Sequence, residues 1–184
     1  MIRFTTSKTN NDFNEIISLQ KENLPKNLSE NELKSQGFVT VVHALEDLRK
    51  MDTHEHNLVV KDDDKIVGYI LAMTQQSKAD IPVLVPMFNN FEKIIYKGKK
   101  IAEHNFIVVG QVCIHKNYRG KGLFYEAYNA YKKQFSNKYD FAITSIATTN
   151  QRSINAHQRV GFVELHFFTD NANTEWSIVA WDWK

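Results

Sequence analysis

Val112-Cys113-Ile114-His115-Lys116-Asn117-Tyr118-Arg119-Gly120-Lys121-Gly122-Leu123-Phe124 is the stretch on which the reading of this chain turns. An apolar strand through Val112, Cys113 and Ile114 runs into a polar turn, and a segment of helical period follows at once. A glycine-rich turn feeding a helix start gathers unpaired backbone N–H groups and the positive end of the helix dipole at one point. Glycines remove the Cβ atoms that would hold an anion away, and Arg119 and Lys121 add charge within reach. The turn therefore predicts a phosphate-bearing ligand.

Two common phosphate motifs fail here. A Walker loop needs Gly five residues before the Gly-Lys pair and Ser or Thr after it, but His115 and Gly122 hold those places. A dinucleotide fingerprint needs a third glycine where Tyr125 stands.

Outward from the turn, residues 106–115 read as a central strand, apolar on both faces. Helical period follows over 123–135, a strand over 141–147, a helix over 151–160 closed by Gly161, and strands over 162–168 and 176–183. Upstream, 2–4 reads as a short strand and 11–24 as a helix stopped by Pro25. Ser29 with Glu32 has the capping-box pattern and predicts a helical region to about Lys50, broken near Gly37. Residues 58–61, Asp62-Asp63-Asp64 and 66–73 read as strand, turn and strand. Residues 75–104 carry little pattern beyond Phe88, Phe91, Ile94 and Ile95, which suggest a short helix.

With 23 basic and 21 acidic residues the net charge of +2 is too small for a general nucleic-acid binder. The single cysteine, Cys113, permits no internal disulfide and suits a reducing compartment. No signal-peptide pattern opens the chain and no run reaches the ~18 apolar residues a membrane helix needs. A cytoplasmic protein with neither membrane nor nucleic-acid partner is expected.

The turn, Arg119-Gly120-Lys121-Gly122-Leu123-Phe124, resembles the pyrophosphate turn of the GNAT superfamily of acyl-CoA-dependent N-acetyltransferases. A second block, from Asn150-Gln151-Arg152-Ser153 through His157 to Gly161-Phe162, is similar to the family's downstream motif. The resemblance spans roughly residues 57–183. It implies an α/β (α+β) fold with a mixed, mostly antiparallel sheet of about six or seven strands flanked by helices. That sheet would be splayed between the 106–115 and 141–147 strands, and residues 1–184 would form one N-acetyltransferase domain.

The resemblance further implies acetyl-CoA as acyl donor and no metal. Its pyrophosphate would lie on Arg119, Gly120, Lys121, Gly122, Leu123 and Phe124, and its pantetheine along Val112, Cys113 and Ile114, with Asn150 and Ser153 nearby. Phe124 departs from the small residue of the family pattern, so its ring should turn into the apolar side of the helix. Gly110, inside an apolar strand, fits a bulge that leaves backbone groups free for an amide-bearing ligand.

His157 stands where the family often has a tyrosine that protonates the departing thiolate, and it shares a helix face with Asn150 and Ser153. Imidazolium, at a pKa of ~6.5, is a stronger acid than a phenol at ~10. The alternative is a histidine that only packs or hydrogen-bonds. An alkyl amine of pKa ~10.4 must shed a proton costing about 4–5 kcal/mol at pH 7. The family's base positions hold Val108 and Gly110, neither of which accepts a proton, and Glu103 and His104 are the nearest titratable groups.

Cys113 and Gln111 read as buried packing, and His54-Glu55-His56 as a solvated loop rather than a metal site. The expected reaction is acetyl transfer to a primary amine of a small molecule or peptide by direct attack. A module that binds acyl-CoA without turnover is the alternative, and a longer acyl group stays open. So does the oligomeric state, with which a homodimer is compatible.

Overall fold

A computed structural model describes residues 1–184. In chain order the elements are β1 (Ile2–Thr6), α1 (Asn10–Glu22), α2 (Glu30–Ser35), α3 (Leu45–His54), β2 (Leu58–Asp62), β3 (Lys65–Met73), α4 (Ser77–Asp80) and α5 (Val85–Phe91). There follow β4 (Phe106–Ile114), α6 (Leu123–Phe135), β5 (Phe141–Ala147), α7 (Gln151–Val160), β6 (Val163–Thr169) and β7 (Glu175–Asp182).

The strands form one seven-stranded sheet in the order β1-β2-β3-β4-β5-β7-β6. Only the β4–β5 pair is parallel. The expected mixed, mostly antiparallel sheet flanked by helices is what forms. One core lies on the face covered by α1, α3 and α5, around Phe13, Leu48, Phe91 and Phe106. The other lies under α6, around Tyr128, Tyr131, Phe135 and Ile107.

Local chemistry sets the element ends. Thr9 accepts from the Asp12 amide at 3.1 Å while Asp12 accepts from the Thr9 amide at 3.1 Å, which starts α1. Ser29 and Glu32 make the same reciprocal cap and start α2. Asp63, at φ 51°, forms the tip of the β2–β3 hairpin.

The helical region expected from 29 to about 50 is broken as predicted near Gly37, but the break extends to residue 44. Residues 36–44 lie between α2 and α3 in no regular structure, with Val39 and His43 buried and Thr40 and Val42 exposed. That alternation is strand-like, yet the segment joins no ladder. Residues 75–104 resolve into α4, α5 and a two-residue hairpin, with Phe88 and Phe91 stacked edge-on in the core at 5.5 Å. In the His54-Glu55-His56 stretch both histidines are exposed, as expected of a solvated segment, and the side chains are also tied to neighbours. His54 meets Asp80 at 3.1 Å, His56 meets Asp52 at 2.9 Å, and Glu55 accepts from Lys138 and Tyr139 at 3.0 Å.

Two features of β4 position the site. Its pairing with β5 covers only Phe106, Ile107 and Val108, against Phe141, Ala142 and Ile143. Beyond these the strands part, with the Thr144 hydroxyl on the Val109 carbonyl at 2.8 Å as the last tie. On the β3 side the register shifts between Ile70, opposite Val112, and Ala72, opposite Val109. Leu71 therefore faces both Gly110 and Gln111, the bulge expected at the glycine. A Cβ on Gly110 would lie 2.1 Å from Met73 Sδ, so any larger residue would have to displace the buried Met73 side chain. One extra residue also reverses which side chains face which layer. Ile107 and Val109 join the α6 core before the bulge, whereas Cys113 joins the opposite core after it.

Candidate active site

The splayed end of β4, the turn that follows, the start of α6, one face of α7 along its length and residues 34–35 and 37–39 line a cavity of about 570 Å³. Val112, Cys113 and Ile114 form its floor, and Gly120, Gly122, Leu123 and Phe124 its end. Gly120 (φ 74°) and Gly122 (φ 81°) hold left-handed conformations that a side chain would strain. Glu126 is the first residue of α6 whose amide finds a backbone acceptor, Gly122 O at 3.1 Å. From Gly120 to Tyr125 no amide donates within the chain, and Gly122 supplies no side-chain cap. This is a ready cradle for a diphosphate. No Cβ contact lies within 4 Å of Gly120, so nothing in the protein fills the place. A second groove of about 910 Å³, with Leu28 as its one apolar residue, adjoins at Arg119, Gly120 and Arg152. It lacks the splayed strand.

The charged residues of the turn sit differently from what the sequence suggests. Arg119 is turned inward: Nε donates to Ile114 O at 2.8 Å, Nη1 to Gln36 Oε1 at 3.2 Å, and Nη2 to Asn23 Oδ1. Arg119 lines the cavity, but its fork is engaged by these protein acceptors. Lys121 lies over the Tyr118 ring at 5.5 Å and does not line the cavity. Arg152 and Arg159 of α7, with Asn155 between them, do line it. Their i, i+3, i+7 spacing was the available signal for this face.

Asn150 also has a local task. Its Oδ1 accepts from the Ser153 amide at 3.3 Å and its Nδ2 donates to Phe38 O at 2.9 Å, so it caps α7 and holds residues 36–44. Ser153 lines the cavity, whereas Asn150 does not. Phe124 does two things: its ring packs on Tyr128 and His157 at 5.0 and 5.3 Å, and it borders the cavity.

His157 does not have the place that its spacing suggested for a proton donor. It is buried and absent from the cavity wall, walled by Phe124, Tyr128 and Phe162. Nδ1 lies 2.8 Å from Ser153 O, a pure acceptor, so Nδ1 carries the hydrogen. Nε2 then accepts from the Tyr128 hydroxyl at 2.7 Å. Burial lowers the pKa to about 4, only partly offset by the bond to Ser153. A neutral ring with both nitrogens engaged away from the cavity has no proton to give there.

The base positions remain empty. Val108 is buried and Gly110 has no side chain. His104, at the opposite end of β4, faces Tyr96 O with Nε2 at 2.7 Å. Burial pushes the Cys113 thiol up to about 12, which removes it as a nucleophile.

The family model described as the acetyltransferase (GNAT) family matches residues 15–162. The chain belongs to the GNAT acetyltransferase family. Solved structures of similar fold include the NatC complex bound to Gag peptide and CoA, with TM-score 0.66 and 11% identity over 100% of this chain and 99% of that one. YncA of Salmonella typhimurium, a putative acetyltransferase with acetyl-CoA, gives 0.63 and 10% over 99% and 94%. A spermidine N-acetyltransferase chimera from Vibrio cholerae SpeG and human SSAT gives 0.61 and 16% over 98% and 95%. No curated protein matches in sequence. Within this GNAT fold, the cavity lies along the splayed strand and ends on the glycine turn.

Proposed function

We propose that the chain is a single N-acetyltransferase domain that moves an acetyl group from acetyl-CoA to a primary amine by direct attack. The observation that carries this reading is the run of unpaired amides from Gly120 to Tyr125 opening into the same cavity as the unpaired edge of β4. The first suits a diphosphate, and the second suits an extended chain of amides. Bound acetyl-CoA supplies the acetyl group as an activated thioester. The protein's part is to grip the diphosphate with backbone amides, align the pantetheine on β4, and present the thioester at the parting of β4 and β5. Arg152 and Arg159 add positive charge along the cavity. That NatC is bound to a peptide and the chimera is named for spermidine leaves both peptide and small-molecule amines as acceptor classes.

One observation favours a second reading, a module that binds acyl-CoA without turnover. Neither Val108 nor Gly110 accepts a proton, and His157 is engaged elsewhere. CoA thiol release from acetyl-CoA, measured against amino acids, polyamines, aminoglycosides and peptides with free amino termini, separates the two. Release with at least one amine is expected. Tight acetyl-CoA binding with no release on any amine would establish the non-catalytic module.

A further inference from the structure

Residues 36–44 run past the site as an extended strap that joins no ladder, with residues 37–39 on the cavity wall. Gly37, Phe38 and Val39 line the cavity opposite Val112, Cys113 and Ile114. Val39 donates its amide to Asn23 O at 3.0 Å, but most of the strap's other partners are side chains reaching in from neighbouring elements. Gln20 of α1 grips His43 twice, accepting from its amide at 3.0 Å and donating to its carbonyl at 3.1 Å. Asn150 holds Phe38 O and Arg119 holds Gln36, as described above.

The remaining tie comes from the bulge. Gln111 is the one polar side chain among residues 106–114, and the register shift turns it toward the strap. Its Nε2 donates to Val41 O at 2.8 Å, while its Oε1 accepts from the buried Tyr69 hydroxyl. Both ends of the amide are therefore fixed. Against these ties stands one cost: both ring nitrogens of His43 are buried with no partner. A buried unpaired polar group favours any state that hydrates it, so the seated strap depends on its ties.

We propose that the strap covers the thioester end of the donor cavity, and that Gln111 is the positioning residue that seats it from the bulge of β4. The proposal rests on the acetyl-CoA reading, because a cover needs a thioester beneath it. Three of the ties come from donor-side elements: β4, the glycine turn and the start of α7. The geometry of the acetyl site and the seat of the strap are thus set by the same backbone. A seated strap keeps water from the thioester and leaves the amine one direction of approach.

The test uses the full chain and acetyl-CoA alone. Gln111→Met keeps the volume of the side chain and removes both hydrogen bonds. Amide exchange over residues 36–44 should quicken at least tenfold, while the Kd for acetyl-CoA stays within threefold. Amine-independent release of CoA thiol, in which water takes the acetyl group as acetate and the sulfur leaves protonated, should rise at least fivefold per folded molecule. Gln36→Ala, a change on the strap that removes only the Arg119 tie, should likewise quicken strap exchange and raise thiol release while the Kd stays within threefold. It keeps the test open should Gln111→Met fail to fold. Wild-type binding of acetyl-CoA, with unchanged strap exchange or unchanged thiol release in the folded variants, overturns the proposal alone. Failure of the wild type to bind acetyl-CoA overturns the transferase reading, and the cover with it.

Discussion

His157 shows how a motif position can keep its place in the helix and lose its chemistry. Spacing put it on the face of Asn150 and Ser153, but large aromatic neighbours and the Tyr128 hydroxyl absorb the ring. His157→Phe should therefore act on stability. It leaves the Tyr128 hydroxyl unpaired and removes the side-chain bond to the Ser153 carbonyl, which keeps its helical bond from the backbone N–H of residue 157. Urea unfolding should show a loss of about 2 kcal/mol with acetyl-CoA affinity unchanged within twofold. Adding Tyr128→Phe should cost less than the sum of the two single changes, since both share one hydrogen bond. A fall in turnover per folded molecule without a change in stability would return His157 to the mechanism. Gly120 is the opposite case, a residue whose value is the absence of a side chain. A Cβ at Gly120 meets no protein atom within 4 Å, so Gly120→Ala should cost only the strain of φ 74°, about 1–2 kcal/mol. Acetyl-CoA binding, measured by titration calorimetry, should weaken more than tenfold. Equal binding would mean that the diphosphate lies elsewhere.

At the scale of elements, β4 carries the design. Its apolar pattern, its interior glycine and the turn after it were all legible, because each is a local preference of the backbone. The consequence of the bulge was not. Inverting the facing of Gln111 and Cys113 depends on where β3 pairs, which no period in one strand reveals. Gly110→Ala should destabilise the fold by about 1–3 kcal/mol in urea, because its Cβ falls on Met73, which is fully buried. Met73→Ala should recover part of that loss by making room, at the cost of its own cavity. If Gly110→Ala is neutral, the close packing at the bulge is not what holds β4 in register. The strap went unseen for a related reason. Its capping-box start promised a helix, but after Ser35 its backbone follows partners on α1, β4 and α7 that lie far away in sequence.

On the scale of the whole molecule, two neutral imidazoles inside separate parts of the fold set an acid limit. Burial lowers His43 and His157 each to about 4, Asp47 opposing the shift at His43. The unfolded chain takes up these protons near pH 6.5, so between 6.5 and 4 it binds more protons than the folded chain. Stability is therefore full above about pH 6.5 and falls as the pH drops toward 4. By pH 5 each histidine should remove about 2 kcal/mol relative to pH 8, roughly 4 kcal/mol together. Urea midpoints across that range check the slope, and His43→Leu should remove about half of it. A flat profile would mean that both rings are hydrated in the folded state. The sequence by itself determined the family, the chain order of the sheet strands and the glycine-rich turn, because glycine conformations, helix starts and strand periods are written over a few neighbouring residues. Only the tertiary structure decided which side chains face the cavity. Asn150 and His157 each had a local case for touching the donor, and each found a stronger partner brought to it by the packing of distant elements, where burial raises the cost of leaving a polar group unpaired.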